Sequence, residues 1–192
     1  MKTILVSGGI GSGKSVFCAM LEKRGVPVYD CDSRAKELYA SYPGLLSEVE
    51  EALGESFRTP DGQLDKGALA KRIFSSATDR DTLESILYPL LLEDFKAWRS
   101  SRKEKAVALE SAVILSKPVF DGVADYVIWL EAPEGKRVER VIFRDGSSRQ
   151  EVISRMEAQF SCAEKADIVI HNEGSLSDLS RKMDEVFEKL TV

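Results

Sequence analysis

The chain has 192 residues, room for one full core with a small inserted lobe and too little for two ordinary domains. With 43% hydrophobic and 31% charged residues it reads as a soluble globular protein, and no apolar run approaches the roughly 20 residues of a membrane helix. The net charge of −5 argues against a broad nucleic-acid surface, so neither nucleic acid nor membrane is expected as a partner.

Cys18, Cys31 and Cys162 are odd in number and lack metal-ligand spacing, which predicts reduced thiols and a cytoplasmic protein. Met1-Lys2-Thr3 before a short strand is too little for a signal peptide, so no leader is expected.

Ile4-Leu5-Val6 predicts the first strand, and Gly8-Gly9-Ile10-Gly11-Ser12-Gly13-Lys14-Ser15 follows it. That stretch fits G-x-x-x-x-G-K-[ST], the phosphate-binding loop that joins a strand to a helix. Its glycines let successive N–H groups turn inward on phosphate oxygens. Lys14 has the reach for the β- and γ-phosphates, and Ser15 offers a hydroxyl to magnesium. A helix from 14 to about 23 aims its positive N-terminus at the anion. Val16, Phe17, Met20 and Leu21 are expected to form its apolar face.

Residues 25–29 predict a turn and a second strand, ending at Asp30-Cys31-Asp32. A carboxylate at that strand end is placed to orient and deprotonate an acceptor hydroxyl, because ligands gather outside the carboxyl ends of parallel strands. Asp32 or Ser33 equally suits a helix N-cap. Helices are expected at 33–40, 43–53, 66–75 and 79–102, with a loop at 58–62. Ile73, Phe74, Leu83, Ile86, Leu87, Leu90, Leu91 and Phe95 are the expected buried stripe, with Pro89 kinking or interrupting the last helix.

Further strands are predicted at 106–109, 126–130 and 168–171, and helices at 134–143, 150–160 and 176–190. Strands alternating with helices imply an α/β fold with a mainly parallel sheet covered on both faces. Glu110 closes its strand where many phosphate-loop enzymes hold a carboxylate near magnesium through water, and an ordinary polar strand terminus is the other reading. Arg137, Arg140 and Arg144 fall at i, i+3 and i+7, one helical row ahead of the Gly146-Ser147-Ser148 break, which predicts a lid closing on phosphates. His171, the one histidine, reads as a structural strand-end residue, while Trp98 and Trp129 are expected to cover apolar surface.

The chain resembles the dephospho-CoA kinases nearly end to end. The resemblance rests on the phosphate loop, on Asp30-Cys31-Asp32 with Ala35, and on Asp61-Gly62-Gln63-Leu64 followed by Leu69 and Ile73-Phe74. It continues through Glu131-Ala132-Pro133, Arg140, Arg144-Asp145, Gln159 and the late Ala166-Asp167, Ile170 and Asn172. It implies a single phosphate-loop NTP hydrolase-like three-layer sandwich over 1–192. Core segments would be 1–33, 105–135 and 165–192, with a helical acceptor-binding lobe at about 34–104 and a lid at about 136–164.

The implied reaction is transfer of the ATP γ-phosphoryl to the ribose 3′-hydroxyl of dephospho-CoA, by a monomer or weak homo-oligomer. Lys14, Asp32 and Arg140 would be catalytic, Asp32 as the base. Gly9, Gly11, Ser12, Gly13, Lys14, Ser15, Val16 and Arg144 would hold ATP. Ser15 would contact Mg2+, with Glu110 possible through water.

Three departures stand out. Tyr88-Pro89 replaces the family's usual His-Pro, Ser116 stands where a glutamate is usual, and the segment from Gln159 to Asp167 is a few residues short. Tyr88 keeps a hydrogen-bonding hydroxyl but carries no positive charge near neutral pH. Two other readings stay open, a kinase for another nucleotide-like acceptor such as a nucleoside monophosphate, and a nucleotide-binding regulator without turnover. Arg34, Lys36, Lys71 and Arg72 suit a phosphorylated acceptor without choosing among candidates.

Overall fold

The structure is a computed structural model that describes residues 1–159 and 161–190. Among them β1 (Lys2–Gly8), β2 (Val28–Asp30), β3 (Ala106–Glu110), β4 (Tyr126–Glu131) and β5 (Ile168–His171) form one sheet in the order β2-β3-β1-β4-β5. Every neighbouring pair is parallel. Central β1 is buried from Thr3 onward on both faces, the position a near-continuous apolar run is suited to. Because all strands point the same way, the loops after β1, β2 and β3 emerge at one carboxyl edge, where the site is built.

The chain divides into two compact units, Met1–Asp30 with Arg102–Val192, and Cys31–Ser101. In the sheet unit, α1 (Lys14–Glu22) and α8 (Leu176–Leu190) share a core with the strands. Leu179, Met183, Val186 and Leu190 are buried along α8 at helical spacing. On α1 the buried residues are Phe17, Cys18 and Leu21. Val16 was expected on that face but is 41% exposed, because the buried stripe runs through Phe17, Cys18 and Leu21, and Cys18 lies about 200° round the helix from Val16.

Two further helices, α6 (Glu134–Asp145) and α7 (Arg149–Glu157), pack through Val138, Val141 and Val152. Gly146 ends α6 in a left-handed conformation at φ 67°, and Ser148 with Glu151 forms a capping box that starts α7. The predicted helix end at Phe160 lies outside the described residues, as do Thr191 and Val192 of the expected core segment.

The other unit is helical, with α2 (Cys31–Ser41), α3 (Leu45–Leu53), α4 (Lys66–Ser75) and α5 (Ala77–Ser100). Leu83, Leu87, Leu91 and Phe95 form the buried stripe of α5 at four-residue steps. The helix is continuous through Pro89, so of the expected kink or interruption the interruption does not occur. Pro89 itself is exposed, and buried Leu87 and Leu91 anchor the turns on either side, so the lost backbone bond is not enough to end the helix. Phe74 corrects the expected stripe as well. It is 73% exposed, since α4 buries only Leu69.

Candidate active site

The phosphate loop connects β1 to α1, and its glycines are needed for different reasons. Gly13 is the α1 N-cap at φ 103° and Gly11 lies at φ 76°, both left-handed. Neither has space for a side chain. A Cβ on Gly11 would meet the Arg137 backbone, and one on Gly13 would meet the Asn172 amide.

Donors from distant segments hold the loop's carbonyls. Arg137 Nε donates to Ile10 O at 2.8 Å, and Arg140 Nη1 to Gly11 O at 3.2 Å. Arg140 Nη2 also reaches Asn172 O at 3.2 Å, while Asn172 Nδ2 donates to Ser12 O at 2.8 Å. Lys14 Nζ donates back to Gly8 O at 2.8 Å and Gly9 O at 3.2 Å. Gln159 acts in the opposite sense, its Oε1 accepting from Ile10 N at 2.8 Å. Carbonyls fixed in this way favour a nest of N–H groups turned to the anion side. Gly9 and Ser12 also border a pocket of about 340 Å3 with Trp129, Arg137, Gln159 and His171.

Ser15 Oγ donates to Glu110 Oε1 at 2.9 Å, so the two side chains suggested for magnesium meet. Asp30 is the register partner of Glu110 across β2 and β3. Burial raises the Glu110 carboxyl above its ordinary value and the Asp30 charge adds to that, while hydrogen bonds from Ser15 and Cys18 and the charge of Lys14 act against it. A hydroxyl beside carboxylates is an oxygen donor set suited to a hard divalent cation.

The arginine row divides by role. Arg137 and Arg140 engage the loop, whereas Arg144 is paired with Asp145 through Nε at 2.5 Å and Nη2 at 2.9 Å. That pairing, joined by Arg155, holds the Asp145 carboxyl down to about 2. His171 is an exposed strand-end residue whose Nδ1 lies 3.4 Å from Glu131. Trp129 is 5% exposed, and Trp98 stacks with Phe95 at 6.1 Å between centroids. Cys18, Cys31 and Cys162 are buried thiols, none of them in a disulfide.

Asp32 belongs to the helical unit. Because α2 starts at Cys31, Asp32 sits within its first turn rather than before it, and neither Asp32 nor Ser33 is the N-cap. A carboxylate there is favoured by the helix dipole. On α5 the Tyr88 hydroxyl donates to Glu84 Oε1 at 3.0 Å. Two of the basic residues proposed for a phosphorylated acceptor are engaged within the unit, Arg34 by Asp94 and Glu37, and Arg72 by Asp79 and Glu55. Ser116 Oγ donates to Val113 O at 2.9 Å, a local turn contact.

Reading the residues one by one missed the loop-holding roles of Asn172 and Gln159, which lie 160 and 149 positions from their partners. Their only advance signal was their place in the family resemblance.

A parallel sheet in this strand order, with a glycine loop feeding α1 and a serine-carboxylate pair beside it, defines a phosphate-loop nucleotide-binding protein. A shikimate kinase from Bacteroides thetaiotaomicron shares the fold, with a TM-score of 0.53 over 100% of this chain and 99% of that one at 14% identity. The family model described as Dephospho-CoA kinase matches residues 2–178, and the chain belongs to that family. A dephospho-CoA kinase from Salinibacter ruber is 33% identical, covering 100% of this chain and 98% of its own. The crystal structure of TT1252 from Thermus thermophilus is 32% identical with a TM-score of 0.84, covering 100% and 98% of the two chains.

Proposed function

We propose that this chain phosphorylates the ribose 3′-hydroxyl of dephospho-CoA with ATP, giving CoA in the last step of its biosynthesis. The observation that carries the reading is the family match over residues 2–178, which includes every motif residue of the phosphate loop. The Ser15–Glu110 hydrogen bond and the arginines on the loop carbonyls support the donor side of the reaction.

The protein's part is positioning and charge stabilisation, since phosphoryl transfer asks for little covalent chemistry from side chains. In this reading the amides of Gly9, Gly11, Ser12, Gly13, Lys14, Ser15 and Val16 hold the phosphates. Lys14 and Arg140 offset charge on the transferring group, and Arg144 leaves Asp145 to join them when nucleotide binds. Asp32 orients the acceptor hydroxyl and takes its proton as the oxygen attacks phosphorus. Ser15 would hold Mg2+, with Glu110 through water. Held there, Mg2+ would supply charge neutralisation for the transferring phosphoryl group.

The enzyme is proposed to act in the cytoplasm as a monomer or weak homo-oligomer without nucleic acid. Among the described residues no helix is long and apolar enough to cross a membrane. The test is ATP- and Mg2+-dependent conversion of dephospho-CoA to CoA by the purified chain, followed by ADP release and the mass of the product. A preference for nucleoside monophosphates over dephospho-CoA would sink the reading.

A further inference from the structure

The pocket of about 340 Å3 bordered by Gly9 and Ser12 has no part in the reaction proposed above. Every described residue that lines it belongs to the sheet unit. Ile128 and Leu130 of β4 point into the core shared with α1 and α8. By strand alternation Trp129 and Glu131 face the other side of the sheet, and the pocket lies with them, away from α1. One wall is made by Gln159 and Ser161, in the segment where this chain is shorter than its family's usual pattern. The volume is at the low end for ligand pockets and suits a small molecule rather than a nucleotide.

Donors on this lining lack acceptors. Arg137 Nε donates to Ile10 O at 2.8 Å, but Nη1 and Nη2 make no hydrogen bond or ion pair among the described residues. Gly9 gives the guanidinium its place, since a Cβ there would collide with it. Burial works against the Arg137 charge and lowers its pKa, with the charges of Glu134 and Glu131 acting the other way from beyond ion-pair distance. Gln159 commits Oε1 to Ile10 N at 2.8 Å, and its Nε2 has no partner among the described residues. Ser12 Oγ is buried and likewise unpartnered among them. A half-buried cation and two unmatched polar groups around one cavity suit an anion. Trp129, Met156 and Pro133 add apolar surface beside them. Glu131 and Glu173 share the lining and set a limit. The Glu131 side chain is 41% exposed and screened by solvent, yet a dianion would still meet its repulsion.

We infer that this pocket binds a small organic monocarboxylate, its two oxygens on the terminal fork of Arg137 and its apolar body against Trp129, and that occupancy steadies the phosphate loop. Arg137 and Gln159 hold the two polar groups of Ile10, its O and its N, so ordering both side chains orders the loop before nucleotide arrives. The inference is independent of which acceptor the chain phosphorylates.

Benzoate is the probe, with benzamide as its neutral counterpart and phthalate as a dianion. In an NMR titration of the full chain, benzoate should move the Trp129 indole signal and leave Trp98, in the helical unit, in place. Its affinity should exceed that of benzamide by roughly tenfold or more, as for hydrogen bonds to a charged group, and should exceed that of phthalate. Arg137→Met should bring the ratio of benzoate to benzamide close to one. By calorimetry benzoate should tighten ATP binding, and saturating ATP should tighten benzoate by the same factor. An unmoved Trp129 signal, equal affinity for benzoate and benzamide, or a preference for phthalate overturns the inference. So does displacement of benzoate by ATP, or an ATP affinity that benzoate leaves unchanged. The parent's comparison of benzoate with benzamide decides the matter even if Arg137→Met folds poorly. A chain that fails to phosphorylate dephospho-CoA would break the functional reading and alter none of these outcomes.

Discussion

The phosphate loop and the helical unit differ in what their long-range hydrogen bonds reach. Around the loop, side chains from far along the chain bind main-chain atoms: Arg137, Arg140 and Asn172 donate to carbonyls, and Gln159 accepts from an N–H. In the helical unit, bonds from side chains to the main chain stay local, as Asp65 to Ala68 N, and the distant pair Arg34–Asp94 joins side chain to side chain. A site made of backbone recognises what every nucleotide shares, its phosphates. One made of side chains can be retuned by a single substitution. On the proposed reading the sheet unit holds phosphates and the helical unit holds the acceptor.

The largest effect should come from the loop side. Arg140→Ala is expected to lower kcat by about 10³ or more, in the range of arginines that meet transferring charge. Steady-state kinetics with a loss under tenfold would show that Arg140 only braces the loop. Asp32→Asn tests the other region. Turnover should fall on the order of 10²–10⁴ with the KM for ATP unchanged, as expected for a base acting on the acceptor alone. Near-parent turnover in a folded Asp32→Asn would remove the base assignment.

Gly13→Ala probes the backbone itself. A left-handed φ of 103° costs a side-chain-bearing residue roughly 1–2 kcal/mol, and the Asn172 amide stands where the methyl would go. Calorimetry should show ATP affinity weakened about tenfold, with affinity for dephospho-CoA little altered. Equal weakening of both ligands would erase the contrast between the regions.

A smaller effect concerns Arg144. In the free protein the Asp145 carboxyl should titrate at about 2 by NMR, held there first by the Arg144 hydrogen bond. Its folded value is lowered, so any stability it contributes is present above the ordinary value of 3.8 and fades as pH falls toward 2. Arg144→Ala should return the titration toward 3.8. Saturating ATP should move it the same way if Arg144 transfers to phosphate, and no movement would leave Arg144 out of the nucleotide site. Least of all, Asp94→Asn should cost about 1 kcal/mol or less in urea unfolding, as for a partly exposed pair.

Local chemistry made much of this protein legible from its sequence. The glycine spacing, Lys14 and Ser15 specify a phosphate loop because the required dihedrals and donors are encoded in consecutive residues. The alternation of strands and helices follows from hydrophobic period, and α8 runs over Leu176–Leu190 as its apolar spacing predicts. Tertiary structure alone decided which arginines reach the loop, that Asn172 closes on Ser12, and that Pro89 sits inside an unbroken helix. It also decided that Val16 and Phe74 face solvent. The reason is common to these cases: each outcome depends on which distant surface packs against a residue, and periodicity records only the residue's own helix or strand.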